Sequence, residues 1–409
     1  MFPTIKHIDD LLWALTDENG VRGEEWVVGE RGGFTVINYA VNFSHTFPDL
    51  TSVSSEEEKH KAIVRREARG IKFCSETGKI LARTLHKFFN IGERDETQPH
   101  NVNWSYDLRI LMKLDGSMIH PMLLNDELVY CTKMGLTDVA VPAAEHARNH
   151  PVALYDRFCR YMISNNFTPI FEWTSRKQKI VVDYPVDQLI LIAIRNMHTG
   201  EYLPLETLEN FGHLYRIPVV QSYGTSISDI NEFVQITRLE TEGEGYVIRF
   251  FDGRMYKIKN EHYCRLHTTK EMLGLEKNVW DLALSESLDD AMAFMDDADR
   301  KRVEAFSDTL RHKISEKAHE LDFFVAATKN DIYEELSSTE VVDIDKEAKK
   351  RFAMREIGRV DPRLKGLCFQ IWDGKESVPL LTDFVRNHTG ALPKLEGIRD
   401  LFGITWSDF

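Results

Sequence analysis

The chain has 409 residues, 43% of them hydrophobic and 28% charged, which is room for two or three domains with real cores. A formal charge of −14 argues against a protein that coats nucleic acid indiscriminately, but a basic cleft can sit on an acidic body because screening limits the reach of charge to about 10 Å. No run approaches the ~20 apolar residues of a membrane span, and the N-terminus lacks the layout of a secretory signal, so a cytoplasmic location is expected (the host cytoplasm for a phage-encoded chain). Cys74, Cys131, Cys159, Cys264 and Cys368 are scattered without a Cys-x-x-Cys pair and read as reduced thiols rather than a zinc or disulfide framework.

In chain order, Ile5–Leu15 has helical spacing of apolar residues. Trp26–Phe43 turns to short β-type runs interrupted by Gly32-Gly33, and Glu56-Glu-Glu-Lys-His-Lys reads as a solvated loop or helix start. Strands are expected at Gly70–Phe73, Ile80–Arg83, Leu108–Lys113, Met118–Leu123, Glu127–Thr132, Ile180–Val182, Leu189–Ile194, Gly245–Phe251 and Met255–Ile258, with helical periodicity across Val139–Asn165. After about Lys270 the texture is helical, at Leu282–Phe294, Arg300–Glu320, Asp331–Leu336 and Asp345–Met354. The expected class is therefore α+β, antiparallel sheets followed by an all-helical C-terminal domain. The expected boundaries are an N-terminal extension at 1–66, a catalytic domain at 67–270 and a helical domain at 271–409.

The chemistry gathers around Lys113-Leu-Asp-Gly, where a lysine at a strand end is followed by a tight turn. Taken alone it is a weak signal, and an exposed turn lysine is the commoner reading. Further on, Phe171-Glu-Trp173 sets a carboxylate between two aromatics, which is costly unless the group is paired or bound to a ligand. Glu244-Gly-Tyr-Val opens a strand with a carboxylate. Tyr256-Lys-Ile-Lys259 puts Lys257 and Lys259 on one strand face, where two like charges call for an anion such as phosphate.

These four motifs, in this order, resemble those of the covalent nucleotidyltransferases, which comprise polynucleotide ligases and mRNA capping enzymes. Ala68-Arg-Gly-Ile, Leu85-His-Lys-Phe-Phe-Asn90, Ile194-Arg-Asn, His198-Thr-Gly-Glu-Tyr and Lys259-Asn-Glu-His-Tyr-Cys-Arg-Leu-His267 narrow the resemblance to the bacteriophage T4-type RNA ligase family. The likeness runs from about Phe34 past His267 and fades after about Phe306. It implies an ATP-grasp-like nucleotidyltransferase domain and an ATP-dependent RNA ligase, joining 5′-phosphate and 3′-hydroxyl ends through a lysine–AMP and an adenylated RNA. RNA or tRNA repair is the implied setting.

Carried over by that resemblance, Lys113 is the nucleophile, Glu172 binds the ribose hydroxyls, and Glu244 sits near the metal and the lysine. Lys257 and Lys259 contact phosphates, with Arg69, Lys87 and Tyr39 (in Val36-Ile-Asn-Tyr) as further nucleotide contacts. Tyr263 matches a position tied to ligase activity, and Asp289 a magnesium-binding aspartate. ATP is the expected cosubstrate and Mg2+ the expected metal. Single-stranded RNA or broken tRNA ends are the expected partners, with no membrane and no obligate protein partner. A lysine amine near its ordinary pKa of about 10.4 is protonated and cannot attack, so neighbouring cations and metal-bound ATP are expected to lower it.

Plainer readings stand beside these. Phe88 and Phe89 read as core aromatics, Tyr263 as a packed tyrosine, and Asp289-Asp290 as a solvated helix start. Arg195 either reaches the active site or braces Asp183 or Asp187, and Lys133 is either a phosphate contact or an exposed strand-end lysine. A DNA ligase or capping enzyme would carry an OB-fold barrel where this chain turns helical. A non-catalytic RNA-binding protein that keeps the fold is the rival from another class.

Overall fold

The computed structural model describes residues 2–409 apart from 18–19, 41, 43–44, 286–287, 293–294, 296 and 338–342. It divides into two compact units, Met1–Cys264 and Arg265–Phe409, the division falling inside the helix Glu261–Leu273. No described helix is long and apolar enough to cross a membrane.

The first unit is built on three sheets. Strands β1 (Trp26–Arg31), β2 (Phe34–Tyr39), β3 (Arg69–Cys74) and β4 (Ile80–Ala82) pair in sequence order, so the N-terminal hairpin shares a sheet with the strand that carries Arg69. Next come β5 (Phe89–Asn90), β6 (Leu108–Met112), β7 (Ser117–Leu124), β8 (Glu127–Cys131) and β9 (Phe167–Thr174). They are followed by β10 (Gln188–Asn196), β11 (Ser222–Gly224), β12 (Gly245–Phe250) and β13 (Met255–Lys259). The second sheet has the order β10-β9-β7-β8 and the third β11-β6-β12-β13-β5. All pairings are antiparallel except β13 with β5. The α+β class with antiparallel sheets and a helical C-terminal region is therefore the observed one.

Several local expectations are corrected. Ile5–Leu15 is not one helix: Asp9–Leu12 and a 3-10 turn at Trp13–Leu15 are helical, while the backbone at Ile5 and Lys6 bonds to His198 and Ile80. Ile180–Val182 is not a strand, because the amides of Val181 and Val182 donate to the Asp115 carboxylate instead of to a ladder. The strand carrying Glu172 is Phe167–Thr174, whose Phe171 and Trp173 point into the core. Val139–Asn165 is two helices, Ala140–Asn149 and Tyr155–Ser164, parted at His150-Pro151. The acidic run after Ser55 is a helix, Glu56–Arg65, started by a Ser55–Glu58 capping box.

The second unit is helical, around one 41-residue helix, Asp297–Ser337. Its buried Val303, Phe306, Leu310, Ile314, Leu321, Val325, Ile332 and Leu336 recur at steps of three, four or seven, one apolar stripe against shorter helices. The expected separate helices at 300–320 and 331–336 are parts of this single element.

At the heart of the first unit lies Glu67, 2% exposed and gripped by two buried arginines. Arg195 approaches it bidentately at 2.8 Å on each oxygen, and Arg83 Nε at 3.0 Å. Arg195 thus braces Glu67, and neither Asp183 nor Asp187 nor the active site. The remaining guanidinium protons go to the carbonyls of Pro3, Thr84, His198 and Gly200, so the network stitches the N-terminus to three loops. Burial opposes ionisation of Glu67, but the two arginines win and hold its carboxyl at about 2. A depressed folded-state pKa contributes stability above the unfolded value near 4.5, lost as pH falls towards 2. At neutral pH this linkage is worth about 3 kcal/mol. Glu67→Gln should flatten the acid limb of stability between roughly pH 4.5 and pH 2 and lower the melting temperature at neutral pH; an unchanged limb in pH-dependent thermal denaturation would contradict this.

Candidate active site

Lys113 stands just past the end of β6, where its amide donates to the Gly245 carbonyl at 2.9 Å. That pairing brings Lys113 beside the start of β12, where Glu244 sits 3% exposed. One oxygen of Glu244 meets the Lys113 ammonium at 2.6 Å and the other meets Lys259 at 2.9 Å. Gly245 makes this approach possible: its φ is +130°, and a Cβ there would lie 2.2 Å from the Ile258 carbonyl oxygen.

The turn after Lys113 is pinned just as firmly. A Cβ on Gly116 would fall 2.3 Å from the Trp173 carbonyl oxygen, so only glycine lets the turn press against β9, which carries Glu172. Burial raises the Glu172 carboxyl to about 8; Lys113 pulls the other way and Glu244 adds to the rise. The Asp115 carboxylate accepts the Tyr263 hydroxyl at 2.7 Å and the amides of Val181 and Val182 at 2.7 Å each, while the Asp115 amide donates to Tyr184 Oη at 2.8 Å. Burial, Glu244 and the bond to Asp115 push the Tyr263 phenol well above its ordinary range, so it stays a neutral donor. Tyr263 therefore lies behind the nucleophile's turn, bonded to Asp115, and is not a wall of the cavity that Lys113 faces.

That cavity has a volume of about 580 Å3 and brings together Lys113, Glu172, Lys257, Lys259, Arg69, Lys87, Tyr39 and Lys133. Lys87 and Lys133 approach the Tyr39 ring at 4.9 and 5.0 Å, and Arg69 and Lys257 approach Phe88 at 5.3 and 5.9 Å. Burial alone would raise the Tyr39 phenol, yet Lys87, Arg69 and Lys133 together bring it down. The Lys257 amine is pushed to about 7 by burial and by Lys87, Arg69 and Lys113. Lys87 is lowered as well, first by burial. Between the charged ends the walls are apolar, from Leu111, Met118, Ile192, Val220, Val247 and Met255. The site thus offers a flat apolar slot opening onto converging cations, the chemistry of a nucleotide with its phosphates.

Of the remaining expectations, Phe89 is a core residue at 2% exposure, while Phe88 lines the cavity. Lys133 lines it too. Asp289 falls in the helix Leu288–Met292, and its side chain lies outside the described residues. Sequence reasoning missed the roles of Glu67, Arg83, Asp115 and Arg249. Asp115 was in view inside the Lys113 motif, but nothing in the spacing reveals that its partners are 66 to 148 residues away.

A model of the RNA ligase family, of T4 type, matches residues 67–263. Over this stretch, a little under half of the chain, the sequence is similar to the RNA ligase family. A Thermovibrio ammonificans protein named "Putative RNA ligase" is 26% identical over 305 residues, 71% of this chain and 78% of that one. RNA ligase 1 of bacteriophage TS2126 is 27% identical over 152 residues, 34% of this chain and 36% of its own length. Among solved structures, an archaeal ATP-dependent RNA ligase is 15% identical with a TM-score of 0.43, covering 69% of this chain and 72% of that one. A mutant RNA ligase of Naegleria gruberi with ATP and Mn has 15% identity and a TM-score of 0.34, with 41% and 52% covered. The family match covers every residue of the cavity wall described above except Tyr39.

Removing the Tyr263 hydroxyl leaves one oxygen of buried Asp115 short of a donor, at a cost of about 1–3 kcal/mol. Tyr263→Phe should lower the melting temperature accordingly and weaken activity through the displaced turn. Equal melting temperatures by calorimetry would remove the positioning role from Tyr263.

Proposed function

We propose that this protein is an ATP-dependent RNA ligase that carries AMP covalently on Lys113, with adenylation performed by the unit Met1–Cys264. The observation that carries the reading is Glu244 holding Lys113 and Lys259 at 2.6 and 2.9 Å on the rim of a cavity lined by Arg69, Lys87 and Lys257. One lysine is poised beside a base, and four cations await phosphate.

In the first step Glu244 takes the proton of Lys113. The freed Nζ attacks the α-phosphorus of ATP, a P–N bond forms, and the P–O bond to pyrophosphate breaks. Lys257, Lys259, Lys87 and Arg69 neutralise the charge on the phosphates. Glu172, protonated at neutral pH and facing the cavity, is placed to hydrogen-bond the ribose hydroxyls. Next, an oxygen of an RNA 5′-phosphate attacks the adenylyl phosphorus, the P–N bond breaks, and Lys113 recovers its proton. Finally a 3′-hydroxyl oxygen attacks the activated 5′-phosphate, losing its proton to solvent; the new P–O bond makes the phosphodiester as the P–O bond to AMP breaks, and AMP leaves. Adenylation supplies the leaving group that a 5′-phosphate lacks, which suits repair of broken single-stranded RNA or tRNA ends.

A divalent metal fits the site's donor chemistry. Among the described residues no three His, Cys, Asp or Glu side chains form a ready-made cage, and magnesium does not require one when phosphates complete its shell. Glu244, with the nucleotide's phosphates, would hold it, and it would add charge neutralisation at the leaving pyrophosphate. Asp289 is retained as a further proposed ligand from the family resemblance.

Because Lys113 serves only to load AMP, Lys113→Ala should fail to join 5′-phosphate RNA with ATP yet still join RNA already carrying a 5′-adenylate. A gel assay with both substrates decides it, and normal joining from ATP by the variant would sink the mechanism.

Lys257, near 7 when the cavity is free, should be driven to its charged form by bound phosphate. Binding of ATP between pH 7 and 8 should therefore take up a proton, visible as a buffer-dependent enthalpy in calorimetry. Lys257→Met should lose that uptake and bind ATP at least about tenfold more weakly. Equal proton uptake by the variant would remove Lys257 from the phosphate site.

A further inference from the structure

Arg249 is a buried charged group of the cavity that the mechanism leaves unused. It is 5% exposed, and among the described residues its Nη1 has no hydrogen-bond partner. Burial lowers its pKa to about 10, so it remains charged at neutral pH. Buried, charged and unpaired guanidinium nitrogens are costly, and one that persists calls for an acceptor supplied from outside the chain.

The sheet register says where that acceptor must be. Lys113 bonds to Gly245; one step along the same face lie Leu111, Val247 and Lys257; one step further lie Arg109, Arg249 and Met255. Each step is about 7 Å, so Arg249 sits roughly 14 Å along the floor from the nucleophile's end. The cations Lys259 and Lys257 occupy the β13 side of the first two rows; Leu111 and Val247 make the rest of the second row apolar, and Met255 flanks Arg249 in the third. A nucleotide with its α-phosphorus at Lys113 would run its base over that apolar floor and end its outer edge near Arg249. Neighbouring charges offer no substitute: Arg109, across the strand, is already paired with Glu206 and repels Arg249. Arg249 also borders a second cavity of about 470 Å3, where Tyr202 and Glu206 attract it through space.

We propose that Arg249 determines base recognition, its Nη1 donating a hydrogen bond to a ring nitrogen of the purine. This rests on the nucleotide-binding reading above and deepens it. Guanidinium carries donors and no acceptor, so it complements N1, N3 or N7 and not the exocyclic amine of adenine.

The test is equilibrium binding of ATP and of 1-, 3- and 7-deaza-ATP, in a Lys113→Ala background that cannot form the adduct, with and without Arg249→Met. The expected result is that one deaza analogue binds the parent about tenfold more weakly than ATP. Arg249→Met should weaken ATP by a similar factor and erase that analogue's disadvantage. Its melting temperature should match or exceed the parent's, since methionine removes a buried unpaired charge. Unchanged ATP affinity in Arg249→Met, with or without a lower melting temperature, overturns the assignment. Equal binding of ATP and all three analogues by the parent overturns it as well. Arg249-dependent binding with no AMP adduct on the Lys113 protein would overturn the ligase reading and leave this assignment standing, and no nucleotide binding at all would overturn both.

Discussion

Glu244 shares its two oxygens between Lys113 and Lys259, and with 3% of its surface exposed it does so almost out of reach of water. In that setting the ion pairs are strong and the geometry is fixed, so the proposed nucleophile is held by the same carboxylate that holds Lys259. The same contact sets a cost, since Lys113 must leave the pair before it becomes a nucleophile. Incoming phosphates and a metal offer the compensation, as each competes for the charges that Glu244 and the lysines now offer one another. One carboxylate thus offsets only part of the charge of the two lysines it holds, while Arg69, Lys87, Lys133 and Lys257 also converge on the cavity.

What lets strands from two sheets come so close is the absence of side chains at two points. Gly245 removes a collision with Ile258, and Gly116 removes one with Trp173, so β12, β13 and β9 close around the Lys113 turn. Asp115 then ties the turn to Tyr263 and to the 181–184 loop. Behind these, the Glu67–Arg83–Arg195 network ties together the start of β3, which carries Arg69, and the segment after β4 that leads to Lys87. The catalytic groups are exposed to ligand, but the groups that aim them are buried.

Much of this was legible in the sequence and some was not, for physical reasons. The alternating strands at 108–112, 245–250 and 255–259 are read from period-two patterning, and Lys257 with Lys259 from the same rule. Phe167–Thr174 was harder: it contains Pro169 and is buried on both faces apart from Glu172, so no alternation marks it. Ile180–Val182 has strand-like composition, yet a carboxylate 66 residues earlier takes its amides. Such long-range polar bonds leave no trace in local pattern, which is also why neither alternative read for Arg195, the active site or Asp183 or Asp187, names its partner Glu67. Arg249 was invisible for the opposite reason, because nothing among the described residues partners its Nη1.

The claim that Lys113 is a covalent carrier of AMP is tested most directly by intact-protein mass spectrometry after incubation with magnesium and either ATP or GTP, following pyrophosphate treatment to strip any bound nucleotide. The account expects the mass of one AMP to be added with ATP, none with GTP, and none with ATP in Lys113→Ala. A wild-type protein that takes up no AMP, or an adduct that survives the loss of Lys113, would contradict it.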